Sequence, residues 1–200
     1  LKERSIAVIR PPSAFISTKI GNRIAVLTLS RPPAGRFSQS LRAELEAVLS
    51  EIFTTPDIDA IVITGEGAAF DIDLPLAERQ LGQASPSLDV LTTLISHAPM
   101  PVVAALRGRI ADAGLELALA AQARVVHHAS RICLPSLQLG QLPSAAAIYT
   151  LTTTLGPRYS IRLLETLSDI PVSQPRLAPL FDKIVVQNVV GEAAELARSL

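Results

Sequence analysis

One carboxylate and one turn of small residues lie close enough in this chain to act together. From Pro101 the sequence reads PVVAALRGRIADAGLELALAAQ. Val102 to Leu106 is an apolar, strand-like run. Gly108 breaks it, small residues follow at Ala111, Ala113 and Gly114, and an Ala/Leu-rich helix begins near Ala113. The first N–H groups of a helix have no internal partner and carry the positive end of its dipole. Small side chains let a ligand oxygen approach that backbone, so the turn can stabilise a developing oxyanion once a second donor converges on the same point. Glu116 stands in the first turn of that helix, on the face shared with Asp112, Ala113 and Ala120. Two readings of it are open: a carboxylate favoured by the helix dipole or by an ion pair, or a general acid/base beside the oxyanion donor. The candidate second donor lies in Gly65-Glu66-Gly67-Ala68-Ala69-Phe70-Asp71-Ile72-Asp73-Leu74, which reads as a strand end, a glycine turn and a helix start.

Other candidate groups point to less. Gly65-Glu66-Gly67 opens like a dinucleotide-binding turn, but Phe70 stands where a third glycine belongs. His127 and His128 are adjacent on a predicted strand, so their side chains are expected on opposite faces, and no metal-ligand spacing surrounds them. No metal site is expected. His97 reads as a cap at a helix end. Ser136 and Ser144 lack the context of a nucleophile elbow. Cys133, the only cysteine, excludes an internal disulfide and reads as a small buried hydrophobe.

The elements that must position these groups follow from periodicity. Ile24 to Leu29, Ala60 to Thr64, Val102 to Leu106, Val125-Val126, Ile132 to Leu134 and Phe181 to Val186 are short apolar runs bounded by turn residues. Between them, Leu41, Leu45, Val48, Leu49 and Ile52 recur at helical spacing behind the possible N-caps Ser38 and Ser40. Further helices are expected over Leu88 to Ser96, Pro143 to Leu155 and Pro157 to Leu167. A polar stretch runs from about Pro75 to Ser87. Strands alternating with helices indicate an α/β class with strands buried on both faces. No tandem repeat of fixed period is visible.

Composition bounds the partners. The chain has 200 residues, 48% of them hydrophobic, enough for one core. Lys plus Arg and Asp plus Glu each number 18, so the formal charge is zero and nothing favours a nucleic acid or a membrane surface. No apolar run is long enough to span a bilayer; residues 1–15 read as a tail or an edge strand, and Leu1 to Arg10 are expected to hold no apolar core of signal-peptide length. A reducing, cytoplasmic setting is the expectation.

The longest ordered match to known sequences is PVVAALRGRIADAGLELALAAQARVVHHASRICLPSLQLGQLPSAAAIYTLTTTLG, which resembles the central block of the enoyl-CoA hydratase/isomerase (crotonase) family. ISTKIGNRIAVLTLSRPP resembles the family's first hairpin, AIVITGEGAAFDIDL its first oxyanion segment, and PVSQPRLAPLFDKIVV the stretch closing its core. The matches keep order from about Ile16 to Val186. The resemblance implies a crotonase-like fold, a superhelical spiral of ββα units spanning residues 16–200 without most of the usual C-terminal helical segment. It also implies an acyl thioester of coenzyme A or a carrier protein as substrate, no separate cofactor, and assembly as a homotrimer or hexamer, or within a hetero-oligomer.

Carried over by position, the oxyanion donors fall on the N–H groups of Ile72 and Ala113, with Phe70, Asp73 and Gly114 around the substrate. Glu116 falls on the first catalytic glutamate of the hydratases, and Ser136 on the second. The departures shape the expected chemistry. Two residues, including an Ala-Gly pair, are missing after Phe70. Asp112-Ala113-Gly114 stands where the family prefers three glycines, and Pro143-Ser144-Ala145-Ala146-Ala147 replaces a glycine-rich turn. With a serine at 136, the resemblance implies a thioester-processing enzyme working with Glu116 alone and weak in hydration, or a catalytically impaired protein that binds a thioester or a partner enzyme.

Overall fold

The computed structural model describes residues 15–30, 37–67, 70–71, 84–166 and 169–200, with the side chain of Asp71 excepted. The expected tail therefore falls outside the described residues except for Phe15, and so do Ile72, Asp73 and most of the polar stretch from Pro75 to Ser87.

The chain opens with a hairpin. Strands β1 (Ile16–Gly21) and β2 (Ile24–Leu29) pair antiparallel. Their connection carries positive φ at both Asn22 (52°) and Arg23 (63°), the conformation that matches the twist of a two-residue hairpin turn. Helix α1 (Gln39–Phe53) follows. Ser38 caps it by accepting from the Leu41 N–H at 3.3 Å, and the leucine stripe is its buried face.

The strands that follow divide between two sheets. Strands β3 (Ala60–Gly65), β5 (Val102–Leu106) and β7 (Ala123–His127) extend β2 in parallel, and β10 (Lys183–Val185) closes that six-stranded sheet. Strands β4 (Phe70–Asp71), β6 (Arg109–Ala111), β8 (Arg131–Cys133) and β9 (Ile170–Pro171) form a second sheet of four. Helices α2 (Leu88–Ser96), α3 (Asp112–Ala120) and α4 (Ala145–Leu155) follow successive strand pairs. Helices α5 (Pro157–Glu165) and α6 (Val189–Ser199) complete the described set, with 3₁₀ turns at Pro135–Leu139 and Pro175–Leu180. The pattern is a ββα unit repeated with one strand in each sheet. It has no fixed sequence period because its first strands begin at uneven intervals, at Ala60, Val102 and Ala123.

Alternation along each strand divides the core. On β3, Ile61 and Ile63 face the larger core with α1, α2 and α3. Ala60 and Val62 face a second cluster closed by Val189, Ala193 and Ala197 of α6. Both faces are covered, which is why these strands read as continuous apolar runs. No described helix is long and apolar enough to cross a membrane.

Among the described residues Arg42 is the charged exception in the core. It is fully buried on α1, and its guanidinium donates to the carbonyls of Phe37 (2.6 Å), Pro86 (2.6 Å) and Ala84 (2.9 Å). It therefore ties α1 to the segment that enters α2 through its N-cap, Ser87. Replacing it strands those carbonyls, and each unsatisfied group costs about 1–3 kcal/mol. Arg42→Ala should lower the unfolding free energy by about 3 kcal/mol or more, read as a fall in urea midpoint at unchanged m-value.

Candidate functional site

The site is built where two strands of the second sheet end side by side. β4 and β6 run parallel, with Phe70 opposite Ile110 and Asp71 opposite Ala111. The short strand is held by the Phe70 N–H donating to the Arg107 carbonyl at 3.0 Å, and the helix start expected in this segment lies outside the described residues beyond Asp71. β6 passes directly into α3. The N-cap of α3 is Ala111, which has no side-chain oxygen to accept from the helix's first N–H groups, so they lack the usual capping partner. Ala113 lies in that first turn and is buried, at 1% exposure.

Gly114 shows how close the two arms come. A Cβ there would lie 2.5 Å from the Phe70 carbonyl oxygen and 3.1 Å from its ring. Only glycine allows this approach between α3 and β4. Phe70 itself is 1% exposed and belongs to the core, so its ring braces the turn and does not line an open cleft.

Glu116 sits one turn into α3, half-buried at the floor of a cleft of about 120 Å³ between α2, α3 and α4. Thr92, Thr93, Ser96, Ser144 and Thr150 give the cleft a hydroxyl-rich wall, and Leu119, Ala120 and Ala147 an apolar one. The Ser144 N–H donates to Glu116 Oε2 at 3.1 Å. Ser144 is also the N-cap of α4, where its Oγ accepts from the Ala147 N–H at 3.3 Å. In a helix with a complete capping box, a Glu at the third helical position would reach back to the cap's own N–H. Here that position is Ala147, and Glu116 supplies the carboxylate from a neighbouring helix. Burial is the largest influence on Glu116 and raises its pKa. Hydrogen bonds from the Ser144 side chain and backbone oppose the rise, and the charges of Asp89 and Asp112 add to it.

Asp112 opens α3 with φ at 30°, a strained conformation for a residue with a side chain. Its carboxylate accepts from Ser136, through the backbone N–H at 3.3 and 3.4 Å and through Oγ–H at 2.7 Å. The structure thus brings together Asp112 with Ser136 and Glu116 with Ser144. The partners Asp112 and Ser144 could not be assigned from local patterns, since each contact spans more than twenty residues of chain. Ser144 did carry one signal, its position as a cap before an apolar helix.

One expectation about the histidines is overturned. His127 ends β7, but His128 lies in the turn beyond it, and the two rings are 4.6 Å apart, not on opposite faces. The alternation of a strand does not extend past its last residue. His97 caps α2, with Nδ1 3.0 Å from the Thr93 carbonyl oxygen, and Cys133 is buried. Among the described residues no cluster of His, Cys, Asp and Glu could hold a metal ion.

Residues 19–200 match the sequence model of the enoyl-CoA hydratase/isomerase family. The chain belongs to this family. Among its relatives, a peroxisomal bifunctional enzyme of Danio rerio is 29% identical over 174 residues, covering 87% of this chain and 24% of that protein. A probable enoyl-CoA hydratase of Bacillus subtilis is 31% identical over 156 residues, covering 74% of this chain and 60% of that protein. The chain therefore spans about a quarter of the first relative and less than two thirds of the second. The fold agrees with the crystal structure of an enoyl-CoA hydratase from Bacillus anthracis, at a TM-score of 0.79 and 23% identity, covering 92% of this chain and 75% of that one. The alternating ββα units are thus those of a crotonase fold.

Two outcomes follow for this family member. Gly114→Ala should destabilise it by about 1–3 kcal/mol, because backbone must move to admit the methyl group; urea unfolding would detect this. Glu116 binds its proton more tightly folded than unfolded. Its contribution to stability is therefore full below its ordinary value of 4.5 and lost as pH rises through the raised folded value. Glu116→Gln, which can still accept from Ser144, should be more stable than the parent at neutral pH, with the difference closing as pH falls below 4.5; thermal midpoints across that range test it.

Proposed function

We propose that this chain processes acyl thioesters of coenzyme A or of a carrier protein by moving a proton at the carbon next to the thioester carbonyl. The observation that carries the reading is the half-buried Glu116 carboxyl, held by Ser144 one turn from the uncapped start of α3. Removing an α-proton places negative charge on the carbonyl oxygen. Backbone N–H groups aimed at that oxygen stabilise the enolate more than the ground state, which is the condition for a faster reaction. In this reading the Ala113 N–H is one donor, the Ile72 N–H is the other, and Glu116 is the acid/base. Asp73 and Gly114 belong to the substrate's surroundings, and the thioester is substrate, with no separate cofactor.

The raised proton affinity of Glu116 suits this task, because a general base works best when its pKa approaches the working pH. Hydration asks for more, since a second carboxylate must help place and activate the water. The corresponding residue is Ser136, whose hydroxyl is committed to Asp112. Proton exchange and double-bond migration are therefore favoured over hydration. The names of the relatives, fatty acid beta-oxidation proteins and enoyl-CoA hydratases, support the substrate class.

The test is solvent deuterium exchange at C2 of a saturated acyl-CoA, beside double-bond migration and hydration of an enoyl-CoA. Exchange and migration should exceed hydration, and Glu116→Gln should lower both by about 10²–10⁴-fold. Unchanged exchange in Glu116→Gln would remove the proposed base. Saturable thioester binding with no exchange in the parent chain would instead identify a catalytically impaired, thioester-binding member of the family.

A further inference from the structure

We propose that the cleft between α5 and the 3₁₀ turn at Pro175–Leu180 binds a small phosphorylated anion, a diphosphate or phosphate ester. The cleft has a volume of about 440 Å³ and is lined by Arg158, Arg162 and Arg176 together with Tyr159 and the Leu155-Gly156 corner. Among the described residues no acidic side chain lines it. Among the described residues none of its arginines forms an ion pair. In a chain whose formal charge is zero, this is a local concentration of uncompensated positive charge.

Arg158 stands where the helix alone would not place it, whereas Arg162 lies in the last turn, where the dipole favours a cation. Arg158 is in the first turn of α5, at the positive end of the helix dipole, and that turn has no acidic residue to offset it. Arg158 and Arg162 are four residues apart, so two like charges share one helical face. Arg176 brings a third cation from across the cleft. A multiply charged anion would relieve both conflicts at once. Local rules broken together at one place are expected at functional sites.

The walls are built to hold this shape. The Arg176 guanidinium lies 5.6 Å from the centroid of the Tyr159 ring. The Tyr159 hydroxyl donates to Gln174 Oε1 at 3.0 Å, tying α5 to the opposite wall. Guanidinium forks match the paired oxygens of phosphate, and several of them discriminate a polyanion from a single carboxylate. The cleft is separate from the Glu116 site. Ser144, which holds Glu116, caps one end of α4, and Leu155 at the cleft is its last residue. Eleven helical residues put about 16 Å between those ends.

The experiment is calorimetric titration of the intact chain with inorganic pyrophosphate at low ionic strength. One saturable site is expected, with Kd below about 1 mM and weaker binding as salt is added. Arg158→Gln combined with Arg176→Gln should weaken it by about tenfold or more, while Glu116→Gln, which leaves the cleft intact, should bind as the parent does. Both arginines are exposed, so the double variant should keep the parent's circular dichroism and thermal midpoint. Adding coenzyme A then separates two sources of the phosphate. Competition assigns the cleft to the phosphates of a thioester, and independence assigns it to a separate phosphorylated small molecule; either retains the site. No saturable binding up to about 10 mM pyrophosphate, or equal affinity in the folded double variant, would overturn it.

Discussion

The contact on which the site depends is the approach of α3 to β4 at Gly114. No atom larger than hydrogen fits between that residue and the Phe70 carbonyl. The parallel pairing of β4 with β6 brings the two chain ends level, and Gly114 sets how near the helix that follows β6 can come. Every other feature of the site inherits its position from this one. Ala113 precedes the glycine and Glu116 follows it by two residues, on a nine-residue helix most of whose residues are buried. The Phe70 ring, fully enclosed, makes the approach rigid from the other side.

Around this fixed point the chain has exchanged flexibility for contacts. Asp112 accepts a strained backbone where three glycines would be relaxed, and its carboxylate binds the Ser136 hydroxyl and N–H. The 3₁₀ turn that carries Ser136 is thereby locked to the start of α3. Two negative charges, on Asp112 and Asp89, then act on Glu116 and add to its reluctance to ionise.

Much of this architecture was legible in the sequence, and the limit of legibility is physical. Ser38 before the leucine stripe of α1, the continuous apolar run of β3 and the apolar run of β2 before Arg31 are local signals, and each element forms where its pattern predicts. The short β4 was not legible as a strand, because two residues are below the length at which alternation can be seen and β6 alone defines the pairing. His128 was misplaced because the strand stops one residue before it. The ββα repeat leaves no period because the connections differ in length. In the site, Glu116 and the small-residue turn stood out by type and spacing. Their controlling partners did not, because Ser136 and Ser144 reach Asp112 and Glu116 only through the tertiary fold.

The cap that Glu116 supplies to α4 has a consequence for motion as well as position. The Glu116 side chain stabilises the start of that helix more when it is ionised, since a protonated carboxyl is a weaker acceptor and carries no charge for the dipole to favour. Proton uptake at Glu116 and slackening of the first turn of α4 are therefore reciprocal, each promoting the other to the same extent. The start of one helix is thus coupled to the charge on a carboxyl carried by another.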